Sequence, residues 1–105
     1  MSLRVSGKHM EVGEAFKTRI EDRIDEALSK YFDNRASGHV TVEKSGSRFT
    51  TDCVLHLDSG VVLQASGEAQ EPDASFNAAA ERIEKRLRRY KRRLKSHHAD
   101  GAATR

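Results

Sequence analysis

Apolar residues recur along this chain with two different periods. From Glu14 to Phe32 they fall at Phe16, Ile20, Ile24, Leu28 and Tyr31, with Ala27 between. Steps of four and three residues place them on one face of an α-helix, which turns every 3.6 residues. A second stripe runs through Phe76, Ala80, Ile83, Leu87, Tyr90 and Leu94. Between the two helices the period drops to two, as in half-buried strands. Val40 and Val42 share one face of "HVTVEK". In "FTTDCVLHLD", Cys53, Leu55 and Leu57 share a face, with Asp52, Val54 and His56 opposite. In "VVLQASGE", Val61, Leu63 and Ala65 line one face. A short alternation, Leu3-Arg4-Val5-Ser6, precedes the first helix and ends at the turn-prone Gly7.

The connectors complete the topology. Asp33 to Gly38 reads as a loop, and Ser45-Gly46-Ser47 and Asp58-Ser59-Gly60 are short and contain glycine, as hairpins require. Pro72 follows the last strand, and Asp73 and Ser75 are candidate caps for the second helix. The predicted order is therefore β-α-β-β-β-α. The last three strands form an antiparallel meander, and the helical crossover makes the first two strands parallel. With aliphatics on one strand face only, both helices pack on that face of a four-stranded sheet. This is a two-layer α+β fold, and its α-β-β-β-α portion resembles double-stranded RNA-binding folds.

Charge changes the picture in one place. Residues 1–70 carry nine Lys or Arg against eleven Asp or Glu, whereas residues 81–95 carry nine against two. A near-neutral body with one basic segment is the footprint of a polyanion binder, although a solvated helix face has the same composition. Geometry separates the two. With Arg82 at 0° and a step of about 100° per residue, the apolar stripe falls between roughly 80° and 160°. Arg82, Arg86, Arg89 and Arg93 lie within about 40° of zero, and Lys85 and Arg92 extend that ridge on one flank. Arg88, Lys91 and Lys95 lie beyond the other side of the stripe. Like charges at i, i+3 and i+4 cost helix stability, and the guanidinium fork suits phosphate. A partner rich in phosphate explains the ridge better than solvation alone. Arg19, Arg23 and Lys30 of the first helix read as an ordinary salt-bridged surface. Lys8 and His9 fall in the loop before it, as phosphate contacts or as plain turn residues.

Other chemistry is missing from the 105 residues. The longest apolar runs are three residues, as at Val61-Val62-Leu63, far short of a membrane span. The first residues, "MSLRVSGKHMEVG", lack the apolar core of a secretory signal. The one cysteine, Cys53, reads as a small apolar strand residue, which fits a soluble protein of the reducing cytoplasm. There is no glycine-rich phosphate loop and no nucleophile–base pair. Asp52 and His56 share a strand face, but Cys53 points the other way. His39 reads as a strand-edge residue. The adjacent His97 and His98 diverge by about 100° on a helix, a poor metal pair. The expectation is a protein that is not an enzyme, with no cofactor, no metal and no small-molecule substrate.

Taken in order, "VSGKHMEVGEAFKTRIEDRI" and "VLHLDSGVVLQASGEAQEPDASFNAAAERIEKRLRRYKRRL" resemble the ribosome hibernation-promoting factor family, which includes the ribosome-associated inhibitors. The resemblance covers residues 3 to 95. Its most specific parts are "ASGEAQEPD" running directly into a helix and the pattern "RIEKRLRRYKRRL". It implies a domain that binds small-subunit rRNA between head and body, where messenger and transfer RNA otherwise sit. Translation would be silenced there under stress or in stationary phase. The family's basic positions match Arg82, Lys85, Arg89, Lys91 and Arg93 here. Arg86 and Arg92 are additional cations, at places where the family often has uncharged or acidic residues. Lys8, Lys17 and Arg23 match basic positions near the first helix.

The domain division expected from this is 1–95 for ribosome binding and 96–105 as a flexible tail or the start of a linker. The long form of the family continues into a second domain that pairs ribosomes. Dimerisation is therefore expected only if a further C-terminal domain exists. Two other readings stay open: a double-stranded RNA-binding module, and a protein-interaction module in which the basic helix binds an acidic protein.

Overall fold

A computed structural model describes residues 2–32 and 36–103, with side chains as far as Leu94. Six elements follow one another: β1 (Ser2–Lys8), α1 (Glu14–Phe32), β2 (Ala36–Ser45), β3 (Arg48–Leu57), β4 (Val62–Ala69) and α2 (Pro72–Ala103). The strands lie in the order β1-β2-β3-β4. β1 runs parallel to β2, and the other two pairs are antiparallel. The expected two-layer α+β architecture is the observed one. Among the described residues no helix is long and apolar enough to cross a membrane.

The period-two pattern sets the core. Val40, Val42, Cys53, Leu55, Leu57 and Ala65 are buried on one sheet face, under Ile20, Ile24 and Leu28 of α1 and Phe76, Ile83 and Leu87 of α2. Phe16 meets Phe76 edge to face, with ring centroids 6.2 Å apart and planes at 83°, which joins the two helices over the sheet. Along α2 the stripe leaves the core gradually. Leu87 is fully buried, Tyr90 is half-buried, and Leu94 is 43% exposed because the helix overruns the sheet.

Gly67 determines how closely α2 approaches β4. A Cβ at this position would lie 2.5 Å from both the Ser75 carbonyl oxygen and the Ala79 nitrogen, so a side chain there would push the helix backbone away. Beside it, the Ser75 hydroxyl donates to the Pro72 carbonyl at 2.8 Å. Its single hydrogen being used, Ser75 accepts from the buried Thr51 hydroxyl, also at 2.8 Å. The first turn of α2 is thereby tied to the middle of the sheet.

Several boundaries differ from the sequence expectation. β1 runs on to Lys8, and Gly7 pairs with Val42 instead of turning; the turn comes at His9, whose φ is 60°. Lys8 is therefore a strand residue. Ala36 to Gly38 belong to β2, where they pair with Leu57, His56 and Leu55. The rest of that expected loop, residues 33–35, lies outside the described residues. Neither Asp73 nor Ser75 caps α2. The Ser75 N–H donates to the Glu71 carbonyl at 3.0 Å, so Pro72 opens the first turn, where its missing N–H leaves no bond unmade. α2 also continues past Lys95 to Ala103. No proline interrupts that stretch, and Gly101 is its one glycine. The side chains of Lys95, His97 and His98 lie outside the described residues.

Candidate nucleic-acid interface

Because the stripe of α2 faces the sheet, its opposite arc faces solvent. Arg82, Lys85, Arg86, Arg89, Arg92 and Arg93 are all exposed on it. Four of them, Arg82, Lys85, Arg86 and Arg89, line one wall of an open groove of about 800 Å³. The other wall is β4 from Val62 to Ser66. β4 is an edge strand, so the groove floor offers backbone groups as well as side chains. Arg82 Nη1 donates to the Ser66 carbonyl at 2.6 Å, which fixes this guanidinium across the rim while its charge stays uncompensated.

The ion pairs of the described residues use Lys8, Arg19, Arg23, Lys30 and Arg48, and none uses a cation of this arc. The cations close to one another on α2 thus repel, with Glu81 the one carboxylate beside Arg82 and Lys85 that makes no ion pair among the described residues. Bidentate guanidinium groups spaced along about three turns present a row of donors matched to phosphate oxygens.

The remaining candidate cations are not on the ridge. Lys91 points the other way. Its Nζ donates to the Tyr31 carbonyl at 2.8 Å and lies 5.4 Å from the centre of the Phe32 ring, so it satisfies the C-terminus of α1. Phe32 in turn stacks on Tyr90, whose hydroxyl bonds Ser59 at 2.9 Å. Arg23 is 2.8 Å from Glu84 of α2, and Lys30 reaches the same carboxylate at 3.3 Å. Burial raises the Glu84 pKa, but hydrogen bonds and charge from Arg23 and Lys30 outweigh it and hold the group below the ordinary carboxylate range. The salt-bridged surface expected on α1 exists, with its partners on α2. Arg19 likewise pairs with Asp73, and its guanidinium lies 5.5 Å from the Phe16 ring centre. Lys8 sits 3.9 Å from Glu43 on the neighbouring strand. Lys17 lines a different groove, at the β1 edge.

The spacing of residues along α2 does not reveal the β4 rim as part of the interface. A signal for it exists all the same, since the last strand of a meander is an edge unless something pairs with it. Cys53 is buried, and burial pushes its thiol up to about 12, so it stays protonated and unreactive. Among the described residues no cluster of His, Cys, Asp and Glu could hold a metal ion.

The family model described as "Sigma 54 modulation protein / S30EA ribosomal protein" matches residues 3–95. The chain belongs to this family. Two curated relatives of this S30EA chain carry the name ribosome hibernation promotion factor. That of Rhizobium meliloti (strain 1021) is 67% identical over 98 residues, which are 93% of this chain and 52% of that protein. That of Bradyrhizobium diazoefficiens is 54% identical over 99 residues, 94% of this chain and 49% of that protein. The chain therefore spans about half the length of these relatives. In fold, this S30EA chain is similar to the Protein Y N-terminal domain of Thermus thermophilus, with a TM-score of 0.78 at 20% identity. That match covers 86% of this chain and 99% of the other. A ribosomal subunit interface protein of Coxiella burnetii gives 0.74 at 16% identity, covering 87% and 98%.

Proposed function

We propose that this chain is the ribosome-binding unit of a hibernation factor. The outward arc of α2 grips small-subunit rRNA where messenger and transfer RNA otherwise sit, and translation stops because that space is filled. The action takes place on cytoplasmic ribosomes, involves no turnover and needs no cofactor. The binding unit is residues 1–95. Pairing of ribosomes is not assigned to these residues, since the relatives are about twice as long.

The observation that carries the proposal is the absence of any ion pair among the described residues for the α2 ridge, in a protein whose other helix-borne cations are largely paired. The names of the relatives support the ribosome as partner. Phosphate contacts supply the affinity, and the shape of folded RNA supplies selectivity, because A-form grooves hide most base edges.

Co-sedimentation with purified small subunits tests this. Arg86→Glu with Arg89→Glu leaves the fold intact and sharply weakens association at low salt. Arg82 is left in place because its guanidinium also holds the β4 rim. Wild-type co-sedimentation of the double variant would defeat the proposal. Equal competition by a plain RNA duplex would favour a general double-stranded RNA module. Capture of an acidic protein that survives RNase treatment would favour a protein-interaction module.

A further inference from the structure

Both helices cover one face of the sheet, and the other face stays open. At its β1 end the open face is unlike the rest of the body. Alternation directs Arg4 and Ser6 of β1, Ser37 and His39 of β2, and His56 of β3 outward, and all five are exposed. Register brings them together: Arg4 pairs with His39, and Ser37 pairs with His56. The two imidazole rings lie side by side, with centroids 6.5 Å apart and planes inclined by 40°. His39 is thus a neighbour of a second histidine within the sheet, not a lone residue at a strand edge. An open groove of about 730 Å³ runs over these groups, and Lys17 of α1 joins its lining from the β1 edge.

Among the described residues no carboxylate lines this groove. Of the acids on the open face, Glu43 is opposite Lys8 and Glu68 is bonded to Arg48, both toward the far end of the strands. Asp52 pairs with Thr41 and Ser66 in register, one row away from His39. Among the described residues, the charged groups around the histidine pair are therefore Arg4 from β1, Lys17 from α1 and Asp52 from β3. β4 contributes the neutral Val62 and Gln64.

We propose that this groove is a second phosphodiester-binding surface, taking a single-stranded RNA segment on the side of the sheet opposite the helices. Arg4 and Lys17 meet phosphate, the serine hydroxyls donate to phosphate or sugar oxygens, and the flat imidazoles stack on bases. The inference rests on the reading of the α2 ridge as an RNA contact, and it adds that the domain is held from two sides.

The experiment measures binding of the full chain to purified small subunits and to a single-stranded 12-nucleotide adenosine RNA. The variant Arg4→Gln with His39→Gln and His56→Gln changes exposed positions only, and circular dichroism checks that it folds. Its affinity for both probes is expected to fall about tenfold. Its salt slope on the single strand becomes shallower by about 0.7 for each phosphate that it no longer neutralises. His39→Arg with His56→Arg adds two guanidinium groups to the groove and is expected to tighten binding to both probes. Unchanged binding of the triple variant to both probes would overturn the proposal. So would a weakening confined to subunits, which would point to an acidic ribosomal protein as the partner. Arg86→Glu with Arg89→Glu serves as the control: if that pair binds like wild type, the α2 reading has failed, whatever the open face does.

Discussion

The Arg23 guanidinium lies 2.8 Å from the Glu84 carboxylate, so the two helices are joined by a pair whose cation is one of the candidate RNA contacts. Lys30 shares the same carboxylate at 3.3 Å. Glu84 is largely covered, with 17% of its side chain exposed, which makes the pair stronger than a surface bridge. Its pKa is lowered in the folded chain. The stabilisation is therefore complete above the ordinary carboxylate value of 4.5 and is lost as pH falls through the lower folded value. Glu84→Gln is expected to cost about 1 kcal/mol at pH 7 and to flatten the loss of stability below pH 4.5, as read by urea unfolding across pH.

Gly67→Ala is expected to destabilise by about 1–3 kcal/mol, because the new Cβ meets helix backbone that cannot rotate aside. Thermal unfolding measures the cost. The same variant shifts α2 relative to β4, so Arg82 loses its place at the Ser66 carbonyl and small-subunit binding weakens as well.

Lys91 and Arg89 are two residues apart and should respond in opposite ways. Lys91→Ala removes the bond to the Tyr31 carbonyl and the approach to the Phe32 ring, with an expected cost of about 1 kcal/mol in stability and little change in the salt dependence of binding. Arg89→Ala leaves stability unchanged and reduces the salt slope by the share of one phosphate, roughly 0.7–0.9. Unfolding and binding curves on the two variants check both halves.

The Thr51–Ser75 hydroxyl pair is buried and complete. Ser75→Ala alone strands the buried Thr51 hydroxyl and is expected to cost about 1–3 kcal/mol, whereas Thr51→Val leaves Ser75 bonded to the Pro72 carbonyl and costs less. The double variant removes both polar groups and should cost less than the sum. A double-mutant cycle by chemical denaturation gives the coupling.

Most of the fold was legible because each element keeps one period throughout. The stripe from Phe16 to Tyr31 predicts α1 to the residue, and the alternation of Cys53, Leu55 and Leu57 predicts the buried face of β3. Boundaries were less legible where a residue's local preference yields to pairing. Gly7 and Gly38 look like turn residues, yet both sit in strands. Asp73 and Ser75 look like caps, yet one meets Arg19 and the other meets Thr51.

The site divides in the same way. A helical wheel places Arg86 and Arg89 outward from spacing alone. It does not say which flank faces α1, and that decides the roles of Lys91 and Arg23. Glu84 and Lys91 lie on the same flank of the stripe, and both reach α1 in the folded chain. Partner choice for long charged side chains is set by neighbours distant in sequence, 54 residues away for Lys30 and Glu84. That information is absent from any local pattern.

The most direct measurement is the salt dependence of binding to purified small subunits, compared between the wild-type chain and Arg86→Glu with Arg89→Glu. If the α2 ridge holds rRNA phosphates, wild-type affinity falls steeply and linearly in a log–log plot, and the double variant shows weak binding with a slope shallower by about 1.4–1.8. Equal affinities and parallel slopes for the two proteins would contradict it.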